Sequence, residues 1–194
     1  MLCVACSRLQ AVDRPGLVSL TTDLNPAMSL SPDLADLLRS LLHGRGVAAL
    51  ATLHDGLPFA SMVPFVAVAD GGRLRLVIHV SGLAAHTRDM RSVPDVCLLL
   101  TASESAAVPP QALPRVSISG RATFVSPEDP SHAALQAAYL EKFPEAADLF
   151  QFADFTLVAI EPVSARFVAG FARAMTLSAD VLASVVDGGP GSLG

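Results

Sequence analysis

Between Arg115 and Val125 the chain alternates apolar and polar side chains: Val116, Ile118, Ala122 and Phe124 fall on one parity, and Arg115, Ser117, Ser119, Arg121 and Thr123 on the other. A period of two puts the two sets on opposite sides of an extended strand, so this segment is a half-buried strand of a sheet with one covered face. Arg73–Val80 repeats the pattern, with Leu74, Leu76, Ile78 and Val80 toward a core and Arg73, Arg75 and His79 on the non-core side. The runs Val47–Leu53, Leu57–Ala69 and Arg73–Val80 are separated by His54-Asp55-Gly56 and Asp70-Gly71-Gly72, turn signals that predict a three-strand meander. Val96–Thr101, Asp154–Glu161 and Ser164–Ala169 add strands, the last two joined at Pro162-Val163.

Helices punctuate the strands. Ser31-Pro32-Asp33 supplies a cap residue, a first-turn proline and an acidic side chain at the positive helix end; Leu34, Leu37, Leu38, Leu41 and Leu42 follow at helical spacing, and Gly44 is placed to stop the helix. Further helices are expected over Leu83–Ser92, Pro130–Lys142, Pro144–Phe150 and Ser178–Val186. Strands broken by single helices, with hairpin-length turns in the first half, predict a mainly β protein with helices, its antiparallel sheet closed into a small barrel. No Gly-x-Gly-x-x-Gly follows a strand, which disfavours a dinucleotide-binding α/β sheet. The expected organisation is a leader over 1–28, with Met28 an alternative start, a barrel domain over 29–178, and a C-terminal helix and tail over 179–194.

Composition narrows the function classes. The 194 residues are 52% hydrophobic and 16% charged, an apolar surplus read as a subunit interface. No window reaches the ~18 apolar residues of a membrane span, and no membrane partner is expected. A net charge of −5 with pI ≈ 5.4 argues against a nucleic-acid partner, since phosphate binding needs clustered Lys and Arg. Three cysteines, Cys3, Cys6 and Cys97, form no disulfide framework, and no secretory signal opens the chain, so a cytoplasmic location is expected. Cys3-x-x-Cys6 lacks a second ligand pair at zinc spacing, and no metal site is expected. Cys97 reads as a core residue, and His43 as a complement to a helix end.

The most informative segment is Ser81–Met90, directly after the third strand. The Ser81 and Thr87 hydroxyls, the Arg88 guanidinium and the amides opening a short helix converge there into a potential anion site. On residue types alone a second reading stays open, with Ser81 a simple cap and Arg88 a solvated charge.

The pattern Ser81-x-Leu83-Ala84-x-His86-Thr87-x-Asp89 resembles the signature of the FMN-binding split barrels related to pyridoxamine 5′-phosphate oxidase, in particular their heme-utilisation-like branch. Ser61-Met62-Val63-Pro64-Phe65, Pro114–Val125, Tyr139-Leu140-x-x-Phe143-Pro144 and Arg166-Phe167-Val168-x-Gly170-Phe171-x-Arg173-Ala174 resemble further segments of that branch in the same order. The resemblance implies a Greek-key antiparallel split barrel that pairs as a homodimer and holds FMN at the interface. It further implies that Arg88, Thr87 and Ser81 bind the cofactor phosphate with His86 orienting it. Ser61, Met62, Val63 and Pro64 would flank the isoalloxazine ring, and the Phe167–Arg173 segment, Arg173 included, would line its edge.

Departures from the pattern shape the functional expectation. The second strand lacks the oxidase's basic pair, and the C-terminus lacks its Arg- and His-rich run, so pyridoxamine phosphate oxidation is not expected. The main expectation is an FMN-dependent oxidoreductase passing electrons or hydride between small molecules. The alternatives are a heme-utilisation protein with His79 as heme-ligand candidate, and a flavin-binding protein without turnover.

Overall fold

The computed structural model describes residues 30–70 and 72–188. The proposed leader, Cys3, Cys6 and Met28 lie outside the described residues. Helix α1 (Pro32–Gly44) is followed by strands β1 (Val47–His54), β2 (Leu57–Pro64), β3 (Val66–Asp70) and β4 (Arg73–Ser81). Helix α2 (Ala85–Ser92), strands β5 (Asp95–Thr101) and β6 (Arg115–Val125), helix α3 (His132–Lys142) and a 3-10 helix (Pro144–Gln151) come next. Strands β7 (Phe155–Gly170) and β8 (Arg173–Ser178) and helix α4 (Ala179–Asp187) complete the order. All pairings are antiparallel, in the order β2-β1-β5-β6-β7-β4-β3 with β8 added to β7, so the sheet does not close as the strand pattern suggests and is the split barrel that the resemblance implies. None of the described helices is long and apolar enough to cross a membrane.

The single strand expected over Leu57–Ala69 is two. Phe65 alone separates β2, which pairs with β1, from β3, which pairs with β4, so the two ends of the sheet are joined through the backbone without a ladder between them. The β1–β2 turn uses Asp55 and Gly56 at φ 51° and 79°, the paired positive values of a tight hairpin that an Asp-Gly dipeptide accepts at low cost.

Conversely, the two strands expected around Pro162-Val163 are one. The last β4 partner in β7 is Ile160 and the first β8 partner is Ser164, so Pro162 sits where β7 is paired only with β6 and beside a register irregularity, a place where a strand tolerates proline. Opposite it stands Gly120, at a register irregularity. A Cβ there would lie 2.7 Å from the Glu161 carbonyl oxygen and 2.9 Å from Ile160 Cγ2. Gly120→Ala should therefore destabilise the chain by about 1–3 kcal/mol, the usual cost of overpacking, read as a lower urea midpoint. Gly44→Ala, where a Cβ meets nothing within 4 Å, is the control and should not destabilise. Equal midpoints for the two variants would show that the β6–β7 crossing yields freely.

The main core holds Leu38, Leu41 and Leu42 of α1, the inward parity of the strands, and Leu182, Ala183, Val185 and Val186 of α4. Although α4 lies past the boundary drawn at 178, it is built into the barrel's core, and Arg39 Nε donates to the Val185 carbonyl at 3.0 Å. A second cluster corrects the expectation that the His79 side of β4 is not core. Leu135 and Tyr139, one turn apart on α3, pack on Val66, Val77, Val125, Leu157 and Ala159. His79 belongs to this side at 8% exposure, its ring stacked on Phe150 at 3.8 Å and flanked by Tyr139 and Phe155. The strand pattern of the sequence does not mark β8, because nothing local signals a strand whose partner is the far half of β7.

Candidate functional site

The turn from β4 into α2 is braced by the residues read as an anion cradle. Ser81 Oγ donates to Asp154 Oδ2 at 2.6 Å, and Gly82 N donates to the Asp154 carbonyl at 2.6 Å. Thr87, 0% exposed, donates its hydroxyl to the Ser81 carbonyl at 2.7 Å, and Arg88 Nη1 donates to the Leu83 carbonyl at 2.8 Å. These bonds fix the turn, and a carboxylate stands among them.

So fixed, α2 presents His86 and Asp89, one turn apart, to the β1–β2 hairpin. His86 Nδ1 lies 3.2 Å from Ser61 Oγ, and burial lowers the His86 pKa from its ordinary value. Asp89, 5% exposed, accepts from Thr52 Oγ1 at 2.8 Å and from His54 Nδ1 at 2.8 Å. Donating to Asp89 raises the His54 pKa, with the nearby carboxylate charge adding to it. Burial by itself would raise the Asp89 pKa, but the His54 and Thr52 hydrogen bonds outweigh it and hold the carboxyl below its ordinary value. Register explains why these residues meet. Thr52 pairs with Phe59 and Leu50 with Ser61, so Thr52, Phe59 and Ser61 share the inward parity, with His54 closing the row at the hairpin. The Phe59 ring lies 5.4 Å from that of His54.

The structure thus gathers Ser61, Ser81, His86, Thr87 and Arg88 around α2. It separates the others. Val63 is buried in the main core, while Met62, 67% exposed, and Pro64 face outward on the same strand. Arg173 pairs with Gly170 and Ser81 with Phe155, at opposite ends of β7, so within one chain Arg173 is not part of this cluster. Thr52, His54 and Asp89 were missed as a group: His54 reads as part of a turn, and only the hairpin register brings it to Asp89.

The open antiparallel barrel with a helix braced against its β1–β2 hairpin defines a split-barrel protein. The chain belongs to the pyridoxamine 5′-phosphate oxidase family, whose model matches residues 34–169. It is 36% identical over 151 residues to the non-canonical chloroplastic heme oxygenase HOZ of Arabidopsis thaliana, covering 76% of this chain and 43% of that protein. The chain therefore spans under half of that relative's length. It is 30% identical over 144 residues to the heme oxygenase HutZ of Vibrio cholerae, covering 73% of this chain and 80% of that one. A solved heme-binding protein from Mycobacterium smegmatis superposes with a TM-score of 0.68 at 29% identity, over 80% of this chain and 62% of that one.

These relatives overturn the expectation of an FMN oxidoreductase: all three carry names that attach to heme, and none to a flavin. Within the turn the Ser81 and Thr87 hydroxyls bond to Asp154 and to the Ser81 carbonyl, while the exposed Arg88 guanidinium donates one N–H to Leu83 and keeps further donors.

Proposed function

We propose that this chain binds heme as its substrate and acts as a heme oxygenase of the split-barrel type. The observation that carries the reading is the likeness to HutZ over 80% of that protein's length. The donor set at the junction of α2 with the hairpin supports it, for His54 and His86 offer two imidazoles that are not enclosed, beside exposed Leu57 and Phe59. Imidazole is a common protein donor to heme iron, and an apolar lip suits a porphyrin edge. When bound, heme supplies the iron centre and the macrocycle that oxygen chemistry consumes. The chain's part is to hold and orient it: Asp89 fixes the His54 ring, Ser61 steadies His86, and Arg88 places a cation near the junction for a carboxylate side chain of the porphyrin.

Hemin titrated into purified protein should produce a Soret band saturating at one heme per chain, which decays when reductant and dioxygen are supplied. Protein that carries a flavin absorption pair as purified, or that leaves the hemin spectrum unchanged, would overturn the reading.

We also propose a homodimer through the outward side of β2-β1-β5. Ala49 pairs with both Met62 and Leu99, and Ala51 with both Ala60 and Cys97, so an uncharged, mostly apolar surface crosses three strands. Sedimentation equilibrium should give twice the 20.1 kDa chain mass, and Met62→Asp should return the monomer. A parent sedimenting as a monomer refutes it.

A further inference from the structure

We propose that His54 is the residue that ligates the heme iron, through Nε2, with Asp89 as the positioning residue that holds its other nitrogen. The inference rests on the heme reading above and adds the donor atom. Each of the five histidines has a distinct surrounding. His79 lines a cavity between β4 and α3 but is flanked by Phe150, Tyr139 and Phe155, its Nδ1 is buried with no hydrogen-bond partner, and no carboxylate braces its ring. His43 stands at the end of α1 with the cations Lys142 and Arg39 as its charged neighbours. His132 opens α3, with no carboxylate bonded to its ring. His86 is set by a neutral hydroxyl, Ser61. Only His54 donates a ring N–H to a carboxylate, at 2.8 Å, and that carboxylate is itself buried and anchored by Thr52.

A carboxylate behind an imidazole is the arrangement found behind metal-bound histidines generally. It selects the tautomer with Nδ1 protonated, leaves the Nε2 lone pair free, and raises the donor strength of that nitrogen. The Asp89 brace exists in the folded chain, so no reorganisation of the ring is needed on binding. The charged groups facing His54 are Asp89, Asp55 and Arg88. Asp55 is exposed at the hairpin turn, and its Oδ2 lies 3.8 Å from Nε2, beyond hydrogen-bond distance. Leu57, the β2 partner of His54, and Phe59 add exposed apolar area beside the position. Among the described residues no three His, Cys, Asp or Glu side chains form a bare-metal site. A porphyrin would bring nitrogen donors of its own, so one oriented imidazole from the chain would suffice to hold the iron.

The experiment is hemin titration of the full chain, followed by absorption and by electron paramagnetic resonance of the ferric state, with near-ultraviolet circular dichroism as the check on folding. His54→Ala should lose the histidine-ligated spectrum, and His54→Gly should regain it when free imidazole is added, which a merely structural role would not produce. His86→Ala should keep it. Asp89→Asn should still bind hemin, about 10–100-fold more weakly and with altered ferric resonances. His54→Gln serves if the smaller variants do not fold. A His54 variant with the parent's spectrum, or loss of that spectrum in His86→Ala alone, overturns the assignment while the heme reading stands. A parent that does not perturb hemin overturns both.

Discussion

Phe65→Ala should lower the unfolding free energy by about 3–5 kcal/mol, the usual range for truncating a fully buried phenylalanine. For a domain with roughly 5–15 kcal/mol in total, that is a large share. The ring is 0% exposed in the main core, with the Lys142 ammonium 4.6 Å from its centroid. That ammonium also donates to the Arg45 carbonyl at 2.6 Å, and its desolvation pulls the Lys142 pKa down to about 8. Phe65 N donates to the Gly46 carbonyl at 3.2 Å. The residue thus anchors the one point where β2 turns from β1 toward β4, and its loss should loosen β2 as well as empty a cavity. Because β2 carries Ser61, the variant should bind hemin more weakly than its remaining folded fraction accounts for. Urea denaturation followed by hemin titration measures both; a loss under 1 kcal/mol would mean the strand crossing is held elsewhere.

Lowering the pH from 7 toward 4 should strip up to about 3 kcal/mol from the fold through His79 alone. Burial drops its pKa from 6.5 to about 4, with the charge of His132 adding to the effect. The folded chain holds this imidazole neutral, whereas the unfolded chain takes up a proton near 6.5. Proton uptake therefore favours unfolding as pH falls below 6.5, and the loss levels off only when the folded ring also protonates near 4. Its contribution is fully present above 6.5. In His79→Leu this limb should vanish, so the stability difference between parent and variant, which cancels groups common to both, should slope between pH 6.5 and 4 and be flat above. A flat difference throughout would show that His79 protonates in place without strain.

Much of the fold was legible because the strands carry their own pattern. The alternation of Arg115–Val125 and Arg73–Val80 reports which parity is covered, and Asp55-Gly56 is a local statement about a hairpin. The errors share one cause. Leu57–Ala69 reads as a single strand because both halves are extended, and nothing local records that the neighbour changes at Phe65. Asp154–Glu161 and Ser164–Ala169 read as two because Pro162 looks like a break, whereas β7 runs through it opposite Gly120 at a register irregularity. At the site, Ser81–Asp89 was visible as a motif, whereas the roles of its hydroxyls depended on Asp154, a residue far along the chain.

What the sequence determined by itself is whatever rests on neighbours in the chain: strand and helix periods, the hairpin turn, the motifs of the split-barrel family, and the scarcity of positive charge. Tertiary structure alone decided which strand pairs with which, that the polar parity of β4 lies under a second core, and that His54 meets Asp89. Those facts rest on register and on α2 crossing to the β1–β2 hairpin. A side chain's chemistry is written in its residue type, but its protonation, tautomer and accessibility are set by groups that only folding brings within 3 Å of it.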